Sequence, residues 1–343
     1  QKGERLDVGT RASYIFNTTI SGIDEADACL LIGCNPRLEA PVLNARLRKR
    51  WVGSGLKFGL VGIDEDLTYP LEHLGLNPSV LKEILEGYHP FRKVLDDAEK
   101  PMLILGSAAI SRPDGSAIMK LAKEIADLTG VVCEGWNGFN FLHTAASRVG
   151  ALDIGFVPRD PNKTINDILQ DAELVYLLGA DEIDPSLLKD PFVVYQGHHG
   201  DLGAHSADVI LPGAAYTEKS GTYVNTEGRV QRGSRAVFPP GEAKEDWSIV
   251  KALSDALGCP LPFKNIGMVR EGLAELNPIF SERDILIPAS WQDFGEEGPV
   301  SEADFGSAVE NFYMTDPISR ASETMANCAR EIRGFLSKTG THG

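Results

Sequence analysis

The sequence predicts an α/β protein of doubly wound, mostly parallel sheets in two related lobes, with an extended C-terminal strap and a last helix. Three observations predict it. Short, unbroken apolar runs end in glycine at Cys29–Gly33, Met102–Gly106 and Leu174–Gly179, as expected of strands buried on both faces of a parallel sheet. Stretches with apolar residues at helical spacing separate them, the alternation that builds βαβ units. The first and third runs also share a context. Asp27-Ala28 precedes one and Asp171-Ala172 the other; the first runs on to Gly33-Cys34-Asn35-Pro36, the third to Gly179-Ala180-Asp181-Glu182-Ile183-Asp184-Pro185. This weak internal repeat divides the chain into a first lobe at 1–100, a second at 101–263, and a strap with helix at 264–343.

In chain order, the first lobe opens on Cys29–Gly33. Leu38, Val42, Leu43 and Leu47 then share a helical face, with Arg46, Arg48, Lys49 and Arg50 mostly elsewhere. A strand is expected at Phe58–Ile63. In the second lobe Met102–Gly106 comes first. Asp114 is placed to cap a helix through Ile118, Leu121, Ile125 and Leu128, which Gly130 ends. Further strands are expected at Val131–Cys133, Leu174–Gly179 and Phe192–Tyr195. Val209–Leu211 is a strand that stops at Pro212-Gly213, where the ladder must end. A Gly- and Thr-rich loop with almost no period follows, within a signature segment at 207–232. There Gly221 and Gly228 are expected at positive φ or under a close approach, and Thr222, Asn225 and Thr226 to bond local backbone. Trp247, Val250, Leu253 and Leu257 mark a helix ended by Gly258. From 281 to 312 acids mix with Trp291, Phe294, Phe305 and Phe312; no period holds, so an extended strap anchored by aromatics is expected. The last helix starts near Ser319 and carries Met325, Cys328 and Ile332.

With 343 residues, 43% of them apolar, the chain can bury a sizeable core and is too apolar for disorder. A net charge of −16 argues against binding a phosphate backbone, which needs clustered Lys and Arg. No apolar run approaches the roughly 18 residues of a membrane span, so membrane association is expected only through partners. The five cysteines are scattered, without Cys-x-x-Cys spacing or a cluster of three. That pattern suits reduced thiols and gives no reason to expect an iron–sulfur cluster in this chain. The sequence begins at Gln1 rather than Met, so an upstream part is expected to be missing or removed, and no intact targeting peptide is visible.

The candidate chemistry is sparse. Glycine-ended strands facing a crevice are where α/β proteins bind nucleotides. Here the turn after Gly33 has neither Gly-x-Gly-x-x-Gly nor a Walker Gly-Lys-Ser/Thr. Asp64-Glu65-Asp66 follows the second strand, and Asp181, Glu182 and Asp184 follow Gly179. Each like-charge contact with a pyrophosphate at about 4 Å costs on the order of 1 kcal/mol even at the dielectric of water. His198, His199, His205 and Asp201 have the residue types of a metal site, but a glycine-dense turn and adjacent histidines favour a satisfied loop. Ser220 and Thr222 flank Gly221 without a nucleophile elbow, and Glu218 and Lys219 read as a surface pair. The Arg46, Arg48, Lys49, Arg50 group reads as a solvated face or protein contact. No catalytic, cofactor-binding or metal-binding residue is therefore expected.

The segment from Ala207-Asp208-Val209-Ile210-Leu211-Pro212 to Glu218-Lys219-Ser220-Gly221-Thr222-Tyr223-Val224-Asn225-Thr226-Glu227-Gly228-Arg229 closely resembles the signature loop of the molybdopterin-oxidoreductase superfamily. It is most similar to one branch, the large iron–sulfur subunit of respiratory complex I. Further blocks resemble the same branch: Gly33 to Pro41 with Asn44-Ala45-Arg46, Asp66-Leu67-Thr68-Tyr69 with His73-Leu74-Gly75, His89-Pro90-Phe91, Tyr195 to Asp201, and Phe312 to Ser322. The resemblance implies a molybdopterin-oxidoreductase-like fold whose two lobes each hold one nucleotide of a paired pterin cofactor in the cofactor-bearing relatives. For this branch it implies a cofactor-free, non-catalytic, structural part of the proton-translocating NADH:ubiquinone reductase. Iron–sulfur clusters and FMN would lie in partner chains. The partners would be other peripheral-arm subunits, including the cluster-bearing N-terminal half if that is a separate chain. The place implied is the matrix side of the mitochondrial inner membrane, or the cytoplasmic face of a bacterial one. The rival readings are a fragment of a molybdenum enzyme such as a formate dehydrogenase, and a free-standing nucleotide-binding module.

Overall fold

The computed structural model describes residues 6, 8–160, 163–180, 182–200 and 202–333. They form two compact units. The first holds Gln1–Val157, Val224–Arg229 and Asp284–Glu310; the second holds Pro158–Tyr223, Val230–Arg283 and Asn311–Gly343.

The first unit is wound on strands β1 (Ala28–Ile32), β2 (Lys57–Val61), β3 (Glu72–Gly75) and β4 (Pro101–Gly106). A small antiparallel hairpin, β5 (Val132–Cys133) and β6 (Trp136–Asn137), precedes β7 (Phe139–Leu142). The sheet order is β3-β2-β1-β4-β7, parallel throughout. Helices α1 (Pro36–Glu39) and α2 (Pro41–Ser54) lie on one face, where Leu43 and Leu47 pack with Leu31, Phe58 and Ile104. Asn35 caps α1 by accepting the Leu38 amide at 3.2 Å, prolines open both helices, and Gly55, at φ +73°, ends α2. On the other face are α3 (Ser79–Glu86), α4 (Phe91–Asp96) and, after the short α5 (Ser107–Ile110), α6 (Gly115–Leu128), with Leu81, Phe91, Ile118 and Ile125 against Leu30, Ile32 and Leu103. Helix α7 (Arg148–Asp153) closes the contiguous part of the unit.

Four expectations change here. Alignment of Ala28 with Pro101 puts β4 beside β1, so the boundary expected at 100/101 falls inside this sheet; a doubly wound sheet returns to its middle strand before extending the other way. The strand expected at Val131–Cys133 is present as Val132–Cys133, but it is half of the antiparallel hairpin and lies outside the parallel sheet. The fifth strand is β7, whose apolar run is broken by the fully buried Asn140, with its carbonyl accepting the Thr18 amide at 2.9 Å and hydroxyl at 2.8 Å. Val42 is 85% exposed and points away from the face of Leu43 and Leu47. Asp114 stands at the α6 N-cap but makes no cap bond. Its carboxylate instead takes Arg112 at 2.8 Å and the Ser301 amide at 2.8 Å. Burial pushes this carboxyl up, yet Arg112 and the Ser301 amide together hold it below its ordinary range.

The strap is extended, as expected, and from Asp284 to Glu310 it belongs to this unit. Phe294 and Phe305 are buried in the α6-side core, and Trp291 stacks edge-on to Phe294 while its indole donates to Asp127 at 2.8 Å. Gly295 needs its φ of +74° and lacks a side chain because the α6 backbone at Lys120 lies where a Cβ would go, 2.6 Å away.

The second unit carries α8 (Ile165–Asp171), opened by a Thr164/Asp167 capping box, then strands β8 (Leu174–Leu178), β9 (Phe192–Gly197) and β10 (Val209–Pro212). These three are parallel in the order β10-β9-β8, with α9 (Leu202–His205) between β9 and β10. Val175, Leu177, Val193 and Tyr195 bury one face against Leu169, Leu187 and Ala204. The loop expected after Pro212 contains a two-stranded sheet, β11 (Gly221–Val224) and β12 (Val230–Gly233). Helices α10 (Asp246–Ala256), α11 (Ile266–Leu276), α12 (Pro317–Arg320) and α13 (Glu323–Arg333) complete the unit. Among the described residues no helix is long and apolar enough to cross a membrane.

Candidate functional site

In each sheet the place to look is the crevice beyond the carboxyl ends of the strands. In the first unit the strand order reverses between β1 and β4. Gly33 leaves β1 at φ +52°, and a Cβ there would lie 2.9 Å from Ala109 and 3.0 Å from the ring of Phe305. A Cβ on Gly106, at the end of β4, would lie 2.4 Å from the Cβ of Cys34. The switch point is thus filled by Cys34, Ala109 and a strap phenylalanine. Phe305 is fixed by its amide to the Leu76 carbonyl at 2.8 Å and carries the Arg112 guanidinium 5.2 Å from its ring centre. Arg112 in turn donates to the Ala303 and Asp304 carbonyls, at 2.8 and 2.9 Å.

The polar groups of this turn are committed to carboxylates. The Asn35 amide N–H donates to Glu39 at 2.6 Å, its side-chain NH2 donates to Glu65, and Arg37 bonds the Asp66 carboxylate at 3.0 Å. Cys34 is buried and donates weakly to the Ile104 carbonyl at 3.5 Å; burial pushes its thiol, and that of Cys29, well up, so both are inert hydrophobic groups.

In the second unit a polar chain runs across the strand ends. Tyr176 donates to Gln196, fully buried, whose NH2 donates to Asp246 at 2.8 Å, and Asp246 is paired with Lys219. A Cβ on Gly213 would lie 3.2 Å from the Asp246 carboxylate, which therefore sits between the ends of β9 and β10. Lys219 faces this carboxylate rather than Glu218, which accepts the Ala215 amide at 3.0 Å. Burial pushes the Tyr176 hydroxyl up, with Asp246 adding to it.

His198 and His199 lie in the bend beyond β9, not in the strand, so their rings meet at Nδ1 to Nδ1 2.7 Å instead of pointing apart. Burial lowers the His198 pKa, with His199 and Lys219 adding to the effect. Asp181 and Asp201 lie outside the described residues. Among the described residues no three His, Cys, Asp or Glu side chains are placed to hold a metal.

The signature segment is anchoring structure. In the first unit its stretch 224–229 receives the Phe16 amide on the Thr226 carbonyl at 2.8 Å, the Ile20 amide on Glu227 at 2.9 Å and Arg11 on the Gly228 carbonyl at 2.9 Å. Arg11 also forks onto Asp153, at 2.8 and 3.1 Å, where the Tyr14 hydroxyl donates at 3.0 Å. Gly228 has φ +83°, and a Cβ would lie 2.9 Å from the Arg11 guanidinium. Gly221 is not left-handed; a Cβ there would press on the Tyr223 ring at 2.7 Å. Asn225 bonds local backbone as expected, accepting the Arg229 amide at 2.8 Å. None of these anchors carries a signal separable from the motif itself, and Arg11–Asp153, 142 residues apart, has no local pattern at all.

Three members of the basic group are consumed within the first unit: Arg46 forks onto Asp24 at 3.1 and 2.6 Å, Arg48 donates to the Thr68 carbonyl at 3.1 Å and Arg50 to the Ala26 carbonyl at 2.7 Å. Arg46 accordingly holds the Asp24 carboxyl below its ordinary range.

A pterin dinucleotide would bring a pyrophosphate to each crevice. The residues present do not fit it. Carboxylates of Glu39, Glu65 and Asp66 occupy the donors around the first, Asp246 is seated in the second, and Phe305 fills the glycine cradle of β1.

Residues 2–256 match the molybdopterin oxidoreductase family, and residues 286–328 match the C-terminal domain of the NADH-ubiquinone oxidoreductase G subunit. The chain belongs to the molybdopterin oxidoreductase family. Within it, the relatives are subunits of complex I. The chain is 45% identical to the mitochondrial NADH-ubiquinone oxidoreductase 78 kDa subunit of Neurospora crassa, over 94% of this chain and 44% of that protein. It is 47% identical to the corresponding Candida albicans subunit, over 96% and 46%, and 44% identical to the G subunit of the NADH-quinone oxidoreductase of Rickettsia bellii, over 98% and 48%. The chain spans about half the length of the curated relatives it matches. These matches favour the complex I branch over the formate dehydrogenase reading.

Proposed function

We propose that this chain is a structural, cofactor-free part of respiratory complex I, the proton-translocating NADH:ubiquinone oxidoreductase. It braces the cluster-bearing peripheral arm and carries no catalytic residue. Iron–sulfur clusters and FMN belong to partner chains, and the chain is peripheral, on the matrix side of a mitochondrial inner membrane or the cytoplasmic face of a bacterial one. One observation carries this reading above the others. The segment that matches the C-terminal domain of the G subunit, 286–328, is the one that seals the first crevice with Phe305. A segment that matches that branch thus fills the crevice beyond β1, the kind of place where α/β proteins bind nucleotides.

The test is purification of the assembly through a tag on this chain, with metal analysis and mass spectrometry. Co-purification of complex I subunits, with rotenone-sensitive NADH:quinone activity and no molybdenum or tungsten, is the expected result. Stoichiometric molybdenum or tungsten bound to the chain, or isolation free of any complex I subunit, would overturn the proposal.

A further inference from the structure

The second unit gathers three arginines without a counter-ion. Arg232 lies in β12, Arg270 in α11, and Arg283 just beyond the short turn Pro278–Ser281 against which α11 packs. The backbone brings two of them together. Arg283 forms a parallel bridge with Val230. Partners in such a bridge send their side chains to the same face, and so does the residue two further along the strand, which is Arg232. Helix α11 supplies the third. Desolvation pushes the Arg232 pKa down from the ordinary arginine value, and the guanidiniums of Arg283 and Arg270 add to the effect. Arg232 and Arg283 are exposed and Arg270 is half buried, with its Nε buried and lacking a hydrogen-bond partner.

Neighbouring like charges repel, and a buried donor left unbonded is destabilising. The chain does not lack acids to relieve this: it has 49 Asp and Glu against 33 Lys and Arg. Elsewhere in the same unit Lys219, Arg235 and Lys251 each meet a carboxylate. Among the described residues Arg232, Arg270 and Arg283 meet none, and Glu271 and Glu282, beside two of them in sequence, pair with neither. An arrangement of this kind is suited to an anion from outside the chain.

We propose that Arg232, Arg270 and Arg283 form a binding site for a phosphate-bearing small molecule, a phosphate monoester or a diphosphate. Three guanidiniums present three positive charges as forked N–H donors. A single carboxylate answers one of them. A phosphate monoester brings roughly two negative charges and three acceptor oxygens, one for each arginine, and a diphosphate brings more. Arg270 supplies the buried donor, and the exposed Arg232 and Arg283 flank the anion from the β12 side. None of the three belongs to the strand-end crevices, and the inference does not rest on the assembly proposed above.

The probe is inorganic pyrophosphate, titrated calorimetrically into the 343-residue chain at constant ionic strength. Saturable binding is expected, and it should weaken by about tenfold or more in the double variant Arg232→Gln/Arg283→Gln. Both residues are exposed, so the circular dichroism and melting of that variant alone should not fall below those of the parent; a merely structural role would lower them. Arg270→Gln should weaken binding as well. Lys251→Gln removes the same charge from a residue already paired with Asp255 and should leave binding unchanged. Vesicles of phosphatidic acid in phosphatidylcholine identify the source of the phosphate. Co-sedimentation that pyrophosphate competes away and the double variant loses assigns a lipid headgroup; pyrophosphate binding without co-sedimentation assigns a soluble ligand. Three results would overturn the proposal: no saturable pyrophosphate binding at millimolar concentration, equal weakening by Lys251→Gln and Arg232→Gln, or binding of poly-glutamate but not of pyrophosphate. The last would make the occupant an acidic protein segment.

Discussion

In the first lobe the strand that follows Asp27-Ala28 lies in the middle of five; in the second, the strand that follows Asp171-Ala172 lies at the edge of three. Both are short apolar runs ending in glycine, and sequence alone reads them as equals. Their burial differs completely. Every residue of β1 is at most 1% exposed, whereas Leu174 and Leu178 at the two ends of β8 are half exposed or more. An apolar run therefore states that a strand can be buried on both faces, and only its neighbours decide whether it is. The same contrast holds for the strand-end crevices. Hydrophobic side chains and a strap close the first, and a polar chain of Tyr176, Gln196, Asp246 and Lys219 crosses the second.

Matched substitutions can break or sharpen this contrast. Two effects should be largest and similar in size, the first at the ion pairs. The Asp153 side chain is buried and holds both the mostly buried Arg11 and Tyr14, so Asp153→Ala leaves a largely desolvated guanidinium without its carboxylate and should cost about 3 kcal/mol. The partly exposed Lys219–Asp246 pair should lose only about 1 kcal/mol on Lys219→Met. Urea unfolding with a probe in each lobe measures both, and equal losses would show that the lobes are equally tight. The second is at the aromatic pair. Phe305→Ala should cost about 3–5 kcal/mol, by removing a buried ring from the crevice. Phe192→Ala, at a half-exposed ring on β9, should stay within about 0.5 kcal/mol. A large loss at Phe192 would mean that its ring is already covered.

Smaller still are the signature glycines. Gly228→Val meets both a positive φ and the Arg11 guanidinium and should cost about 1–3 kcal/mol. Gly221→Val meets only the Tyr223 ring, at ordinary φ, and should cost less, because a ring can turn aside where a backbone angle cannot. Thermal unfolding of the two variants orders them, and the reverse order would contradict the geometry.

What could be read beforehand follows from range. The runs at β1, β4, β8 and β9 and the helices α2, α6 and α10 were legible because their signals are local: apolar continuity, helical period, a terminal glycine. β7 was not legible, because Asn140 interrupts its run for the sake of Thr18, 122 residues away. The division into lobes by residue number failed at 100/101 for a related reason, since nothing local in Pro101–Gly106 says that its partner is β1. The acids around the first crevice were legible by type at Glu65 and Asp66. Asp246 was not, because it opens a helix 50 residues from Gln196, to which it bonds. The strap's anchors were legible as spaced aromatics, but the site that Phe305 fills was not.

The last test distinguishes the lobes by pH. His143, in the first lobe, donates Nε2–H to the Tyr14 carbonyl at 2.6 Å and is held neutral: burial pushes its pKa down from 6.5 to about 4, more than that hydrogen bond raises it. A depressed imidazole means that the unfolded chain binds the extra proton first as pH falls. The stabilisation is therefore fully present above about pH 6.5 and is lost progressively between there and pH 4. Going from pH 7 to pH 5 should cost at most about 2 kcal/mol through this group, and His143→Gln should remove that slope while lowering stability at neutral pH. His198, in the second lobe, is shifted the same way but is half exposed, so His198→Gln should alter the slope far less. Urea midpoints of the three proteins across this pH range decide the matter. A slope unchanged by His143→Gln would mean that the buried imidazole is not what couples the first lobe to acid.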